Sequence, residues 1–274
     1  MKHLPITLLV IVTMIMLHAS LKAAGENRPA GARSAAMANA SVALQDLWSA
    51  FNNQAGLTAL TDPVAGIFAE NRFLIKELGF RAGVMALPAK AGTLAVSFSH
   101  FGYSAYNEWE TGLAFARKFG KNFSAGLQLS YGRVSMGENY GQRGYTAFEA
   151  GMQVSVIPEL LLGVHVHNPG SPRFSVLPAG QIPAAFRMGL AWEVNPAITV
   201  TAETEKDISH KPGVRAGLEY RFNTLLHLRC GISTNPASNS FGIGIVKDLM
   251  IIDLSSSWHP VLGFSPQASF AIKF

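Results

Sequence analysis

The sequence is poor in charge: Asp, Glu, Lys and Arg make up 14% of 274 residues, while 49% are apolar. A soluble domain carries about a quarter charged residues, so these apolar side chains must be buried on more than one side or meet lipid. So little charge also argues against a disordered chain. A single cysteine, Cys230, excludes a disulfide scaffold. Concentrated basic charge is missing as well. The net charge is +5, and residues 1–24 hold Lys2 and Lys22 but no acid, which leaves 20 basic against 17 acidic residues, or +3, for the remainder. That is too weak and scattered for a nucleic-acid partner.

Long apolar runs are absent beyond the first residues. Lys2 and His3 precede an apolar run from Ile6 to Leu17, and small residues follow from Ala19 to Ala24. This pattern reads as a signal peptide over 1–24, cleaved around 19–24, because the run falls short of the roughly 20 residues a spanning helix needs. No later stretch reaches eighteen consecutive apolar residues. An exported chain without spanning helices leaves two options, a secreted all-β domain or a transmembrane β-barrel.

Periodicity separates the two. From about residue 64 onward, apolar residues recur at every second position, with Gly, Ser or charge between them, as in a strand with two unlike faces. Phe186, Met188, Leu190, Trp192 and Val194 share one face, against Arg187, Gly189, Ala191 and Glu193 on the other. Fourteen such segments occur, at 64–75, 78–88, 93–104, 107–119, 122–136, 145–157, 160–168, 184–194, 197–207, 213–222, 225–233, 240–248, 250–259 and 264–274. Most match the length of a tilted strand crossing a bilayer, and sandwich strands are usually shorter. The links alternate. Tight ones at Gly120-Lys121, Pro158-Glu159, Asn195-Pro196, Asn223-Thr224 and Asp248-Leu249 are interleaved with longer ones at 137–144, 168–183, 208–212, 234–239 and 259–263. Short periplasmic turns and longer outer loops give a barrel this pattern.

Aromatics fall into two groups on the apolar face. Phe119, Phe123, Trp192, Tyr220, Phe222 and Phe274 lie beside the tight links, and Trp109, Tyr131, Phe148, Phe186, Phe241, Trp258 and Phe264 lie near the longer ones. Two aromatic belts around an aliphatic band mark the two membrane interfaces. The sequence therefore predicts an all-β transmembrane fold, a fourteen-stranded antiparallel barrel over 64–274 in contact with outer-membrane lipid.

The other face then lines a lumen of Gly, Ser, Ala, Gln and charge. Registers implied by the tight turns put Glu193 opposite Thr199, Arg187 near Glu205, Glu219 near Arg229 and Arg221 near His227, with Glu205 in reach of Arg215. Together with Glu203, these form an expected lumen charge network of ion pairs.

Residues 31–62 do not alternate. Ser34 to Phe51 is Ala-rich, and Asp46 precedes Leu47 and Trp48 as a helix N-cap would, so a short helical segment folded into the barrel mouth is expected. Gly31-Ala32-Arg33, Ala36 to Ala43 and Asp46 through Asn53-Gln54-Ala55-Gly56-Leu57 resemble the N-terminal signature of FadL-type barrels, and more closely the PorV and PorQ proteins of type IX secretion. The proline of the usual Asn-Pro-Ala-Gly is replaced by Gln54. The resemblance implies a fourteen-stranded barrel with a hatch over 25–63, whose gate residues are Gly31, Arg33, Asp46, Trp48, Asn53, Ala55 and Gly56. It also likens the C-terminal Phe274 to an outer-membrane assembly signal. It implies a non-enzymatic partner or accessory subunit of a secretion or surface-assembly complex, with a protein partner. The alternative is a hatch-gated passive channel with a small hydrophobic molecule in its lumen. Fourteen strands leave little chain for long outer capture loops.

Sharper chemistry finds little support. His165 and His167 share a strand face beside Gln153 and Gly151, a usable pair of metal ligands, but only Glu149 could join them. Asp253, Ser255, Ser257 and His259 share one face, yet next-but-one strand neighbours lie about 6.5 Å apart and point in parallel, which a Ser-His-Asp relay does not allow. Cys230 falls on the apolar face. Gly242-Ile243-Gly244 lacks the strand-to-helix context of a phosphate loop, so no cofactor is expected.

Overall fold

The computed structural model describes residues 28–137, 141–169, 184–207 and 211–274. The expected signal peptide over 1–24 lies outside these residues. Fourteen strands follow in chain order: β1 Val64–Asn71, β2 Gly79–Ala89, β3 Gly92–Tyr103, β4 Tyr106–Phe119, β5 Phe123–Met136, β6 Gln142–Ile157, β7 Leu160–His167, β8 Ala185–Asn195, β9 Ile198–Asp207, β10 Gly213–Arg221, β11 Leu226–Thr234, β12 Ala237–Lys247, β13 Met250–His259 and β14 Gly263–Lys273. Each pairs antiparallel with its sequence neighbours, and β1 pairs with β14, Val64 opposite Lys273, to close the barrel. Closure leaves no open sheet edge, which hydrocarbon surroundings require. Among the described residues no helix is long and apolar enough to cross a membrane.

The alternation that marks the strands in the sequence also sorts their faces. Leu113, Leu129, Met188 and Leu254 point outward and are exposed, whereas Ala114, Ser130, Arg187 and Asp253 point inward and are buried. The outer surface is thus an apolar band, with aromatics toward its two ends. Trp109 stacks edge-on to Tyr131 near the loops, and Phe119 lies against Phe123 near the turns.

The links alternate less strictly than expected. At the end where β1 begins, here the turn end, every link has two to four residues. At the opposite loop end, the β3–β4 link at 104–105 and the β11–β12 link at 235–236 are equally tight. The latter was expected to be a longer loop, but pairing of Thr234 with Ala237 extends both strands into it.

The N-terminal segment is less helical than its alanine content suggests. It contains an α-helical turn α1 at Ala32–Ala36, a second, α2, at Ser49–Asn52, and a 3-10 turn at Gln54–Ala59. Ala38 and Asn39 take left-handed backbone angles (φ 54° and 59°), which no continuous right-handed helix accommodates. Asp46 does not cap α2, because its Oδ1 accepts from Trp48 N at 2.9 Å and closes a turn just before it.

Candidate functional site

Residues 28–63 fill the lumen by crossing it repeatedly. Pro29 lines a cavity of about 570 Å³ at the loop end, and Arg33 reaches a second cavity of about 240 Å³ at the turn end. The chain returns to the loop-end cavity at Ala38 and Asn39, then to the turn-end cavity at Asp46, Leu47 and Trp48. Between these visits Ala36, Met37 and Val42 are wholly buried.

Glycines of the inner wall make this packing possible. On Gly231 of β11 a Cβ would lie 2.4 Å from the carbonyl carbon of Met37, and on Gly163 of β7 2.3 Å from the Val42 oxygen. Gly126, Gly151, Gly217 and Gly242 likewise face the segment at distances a side chain could not share. The sequence shows these glycines only as the polar half of an alternation. Their purpose is close approach of one backbone to another.

Of the expected gate residues, Gly31 has φ 103° and lies under Trp48, whose Cγ would be 2.4 Å from an added Cβ. Arg33 grips both oxygens of Glu219, with Nε to Oε2 at 2.8 Å and Nη2 to Oε1 at 3.0 Å, and reaches Asp46 at 3.1 Å. Burial opposes its charge, but the carboxylates of Glu219 and then Asp46 outweigh that and raise its affinity for the proton above the ordinary arginine range. Asn53 donates from Nδ2 to the Val42 and Met152 carbonyls, and its Oδ1 accepts from Ala55 N. Ala55 is fully buried, and Gly56 leaves room for Ser49 Oγ and the Leu44 carbonyl.

The charged residues expected in the lumen network form two clusters. The register places Glu193 opposite Thr199 and Arg187 opposite Glu205, and Glu219 opposite Arg229 with Arg221 opposite His227. In the first cluster Arg187 Nε meets Glu203 Oε1 at 2.7 Å, and Arg215 joins Glu203 and Glu205 at 3.1 and 2.7 Å. In the second, Arg229 bridges Glu219 and Asp253, each at 2.6 Å, while Arg221 links Glu219 to Glu193.

Both clusters hold the N-terminal segment. Glu203 Oε2 accepts from the backbone N–H groups of Ser41 and Val42, each at 2.8 Å. Arg187 donates to the carbonyls of Asn39 and Asn52 and to Ser41 Oγ. Apart from Ser41 Oγ, these partners are backbone groups, which carry no sequence signal.

A third polar group brings together the histidine pair and the Glu149 that the sequence placed near it. Glu149 accepts from Gln54 and Gln128 at 2.9 and 3.2 Å and contacts His165 Nε2 at 3.0 Å, with His167 at 3.4 Å. The two histidines therefore meet one carboxylate, and among the described residues no set of three or more His, Cys, Asp or Glu is grouped to hold a metal. Arg28 pairs with Glu108 at 2.7 Å and lies 4.0 Å above the Phe101 ring. Asp253, Ser255 and Ser257 do not converge on His259: Asp253 engages Arg229, both serines engage Gln267, and His259 Nδ1 accepts from Val261 and Leu262 N.

The lumen departs from the expected polar lining on one side. Val64, Phe68, Phe80, Val84 and Ala86 of β1 and β2 point inward and are buried, joined by Ala95, Ala114, Ala116 and Ala271. Trp48, Leu47 and Leu57 of the N-terminal segment pack against them. Trp48 meets Phe68 edge-on at 5.9 Å, and Phe68 meets Phe80 likewise at 5.9 Å. With Phe101 against this cluster, an apolar stripe runs the length of the inner wall. Val64 to Ala69 is apolar on both faces apart from Gly66, and that loss of alternation is the signal in the sequence.

Solved structures share this fold. The toluene transporter TbuX of Ralstonia pickettii superposes with a TM-score of 0.71 at 10% identity, over 89% of this chain and 98% of that one. The toluene transporter TodX of Pseudomonas putida gives 0.67 at 12% identity, over 88% and 96%. A FadL homologue of Pseudomonas aeruginosa gives 0.65 at 12%, over 90% and 98%. The fold is that of the FadL-type outer-membrane channels. No protein family and no curated protein matches the sequence itself.

Proposed function

We propose that this protein is a passive channel for small hydrophobic molecules in the outer membrane of a Gram-negative bacterium, with residues 25–63 as its gate. The apolar stripe carries the reading. A water-filled lumen has no use for Phe68, Phe80 and Val84 on its inner wall, whereas an apolar solute moves along such a wall without stranding a polar group. In the closed state the stripe is covered by Trp48, Leu47 and Leu57, so the gate stands in for the solute. The two charge clusters lie on the opposite wall and fix the segment there. Toluene transporters among the structures of this fold agree with that chemistry.

Of the two functions that the sequence implies, the channel is the better supported. No observation favours a PorV-like or PorQ-like role in type IX secretion, or a protein partner. Uptake of radiolabelled toluene by cells with and without the protein tests the channel reading. Faster uptake with the protein is expected, and equal rates would overturn it. Gentle extraction followed by mass spectrometry is expected to recover a lone barrel.

A further inference from the structure

We propose that the outer wall of β2–β5 carries a binding site for the phosphorylated sugar headgroup of an outer-leaflet glycolipid. The inference goes beyond the channel reading and rests only on the place of the barrel in an outer membrane.

Four residues on neighbouring strands make the site. Arg81 of β2 lies opposite His100 of β3, His100 opposite Trp109 of β4, and Trp109 opposite Arg133 of β5. Each stands two or three residues from the loop end of its strand. All four turn outward, because their neighbours in sequence turn in. Phe80 and Ala82 are buried beside Arg81, and Val134 beside Arg133. Phe101, next to His100, packs on the inner apolar cluster, and Glu108, next to Trp109, pairs with Arg28 inside.

The outward rows on either side place these residues at the membrane surface. Toward the middle of the wall the same strands present Gly83, Phe98, Thr111 and Tyr131, and beyond them Met85, Val96, Leu113 and Leu129. The last four are exposed apolar side chains of the lipid-facing band. Toward the loops, β3, β4 and β5 present Gly102, Asn107 and Ser135. Hydrocarbon thus gives way to polar surroundings across the row, at the depth where lipid headgroups lie. Trp109, edge-on to Tyr131 at 5.7 Å, marks the same boundary.

The two arginines of the row are unmatched by the protein. Among the described residues neither forms a hydrogen bond or an ion pair. No acid of β2–β5 turns outward, since Glu108 and Glu110 face the lumen and engage Arg28 and Tyr145 there. The cations also belong to one side of the barrel: near the loop end, β8, β10 and β14 turn Phe186, Val214 and Phe264 outward instead. A guanidinium at a lipid interface with no carboxylate beside it fits a phosphate, which it grips with two parallel N–H donors. Three strand spacings separate the arginines by about 14 Å at the backbone. That span suits a disaccharide with a phosphate at each end, the headgroup of lipid A. His100 and the indole of Trp109 lie between the arginines to meet the sugars, and the apolar wall below takes the acyl chains.

Native mass spectrometry of the detergent-solubilised protein titrated with lipid A tests the site. A variant with Arg81→Gln and Arg133→Gln is expected to bind about tenfold more weakly than wild type, and lipid A stripped of both phosphates is expected to bind wild type more weakly by a similar factor. A second variant, Arg117→Gln with Lys247→Gln, removes two exposed cations at the turn end and is expected to bind lipid A as wild type does. A change of gel migration on boiling shows that each variant barrel is folded. Equal binding by wild type and the Arg81 and Arg133 variant would overturn the site, and so would undiminished binding of the phosphate-free lipid. Equal losses in the two variants would also overturn it, by reducing the attraction to general charge.

Discussion

Arg187 of β8 and Glu203 of β9 meet on the diagonal, two residues off direct register, with Nε and Oε1 2.7 Å apart, both side chains almost wholly buried, and together they hold four separate points of the N-terminal segment. An ion pair this deep earns little stability for itself, since desolvating two charges cancels most of their attraction. Its value lies in the backbone groups it satisfies, the N–H groups of Ser41 and Val42 and the carbonyls of Asn39 and Asn52.

Removing one partner should therefore open the lumen. Glu203→Ala leaves Arg187 without its nearest countercharge, a change that costs about 3–5 kcal/mol in buried pairs. Single-channel recordings in planar bilayers are expected to show larger or more frequent openings than wild type. Conductance identical to wild type would mean that the segment is held without this pair.

A side chain at Gly231 tests the same closure by steric means. In Gly231→Val the added carbon meets the Met37 carbonyl carbon, a backbone atom that cannot rotate away. The barrel should still form, because the wall itself is unchanged, while the segment is pushed from its seat and conductance rises. Gly83→Ala is the control: its Cβ would lie 3.8 Å from the nearest atom, an ordinary contact.

Trp48 tests the proposed channel reading. Trp48→Ala vacates the space between Gly31 and Phe68 and loses about 3–5 kcal/mol of packing, as large-to-small core changes do. Thermal unfolding followed by gel migration should shift to lower temperature, and toluene uptake should quicken. Slower uptake in a folded variant would mean that Trp48 guides the solute and does not obstruct it.

Leu190→Arg probes which face meets lipid. Leu190 points outward from β8, opposite Leu162 of β7 and Ala202 of β9, and a cation near the bilayer midplane costs roughly 2–4 kcal/mol. The folded fraction seen on unboiled gels should fall. An Arg accepted there without loss would reverse the assignment of inside and outside.

The strands, their number and their faces were legible in the sequence because each rests on local alternation. Phe186 and Arg187 are assigned to opposite faces by position alone. Cross-strand partners such as Glu219 and Arg229 were within reach for the same reason, since a tight turn fixes the register of the two strands it joins. Only the closed barrel decided the rest. The glycines at 126, 151, 163 and 231 became clearances once a second segment was laid against them. The inward faces of β1 and β2 became an apolar wall once Trp48 was seen to cover it. The grip of Arg187 and Glu203 on the N-terminal segment joins residues more than a hundred positions apart, through backbone groups that every residue possesses. Periodicity records what each strand turns toward lipid, because lipid is the same along the whole barrel. What fills the lumen is particular to each position, so it becomes visible only when the chain is brought together.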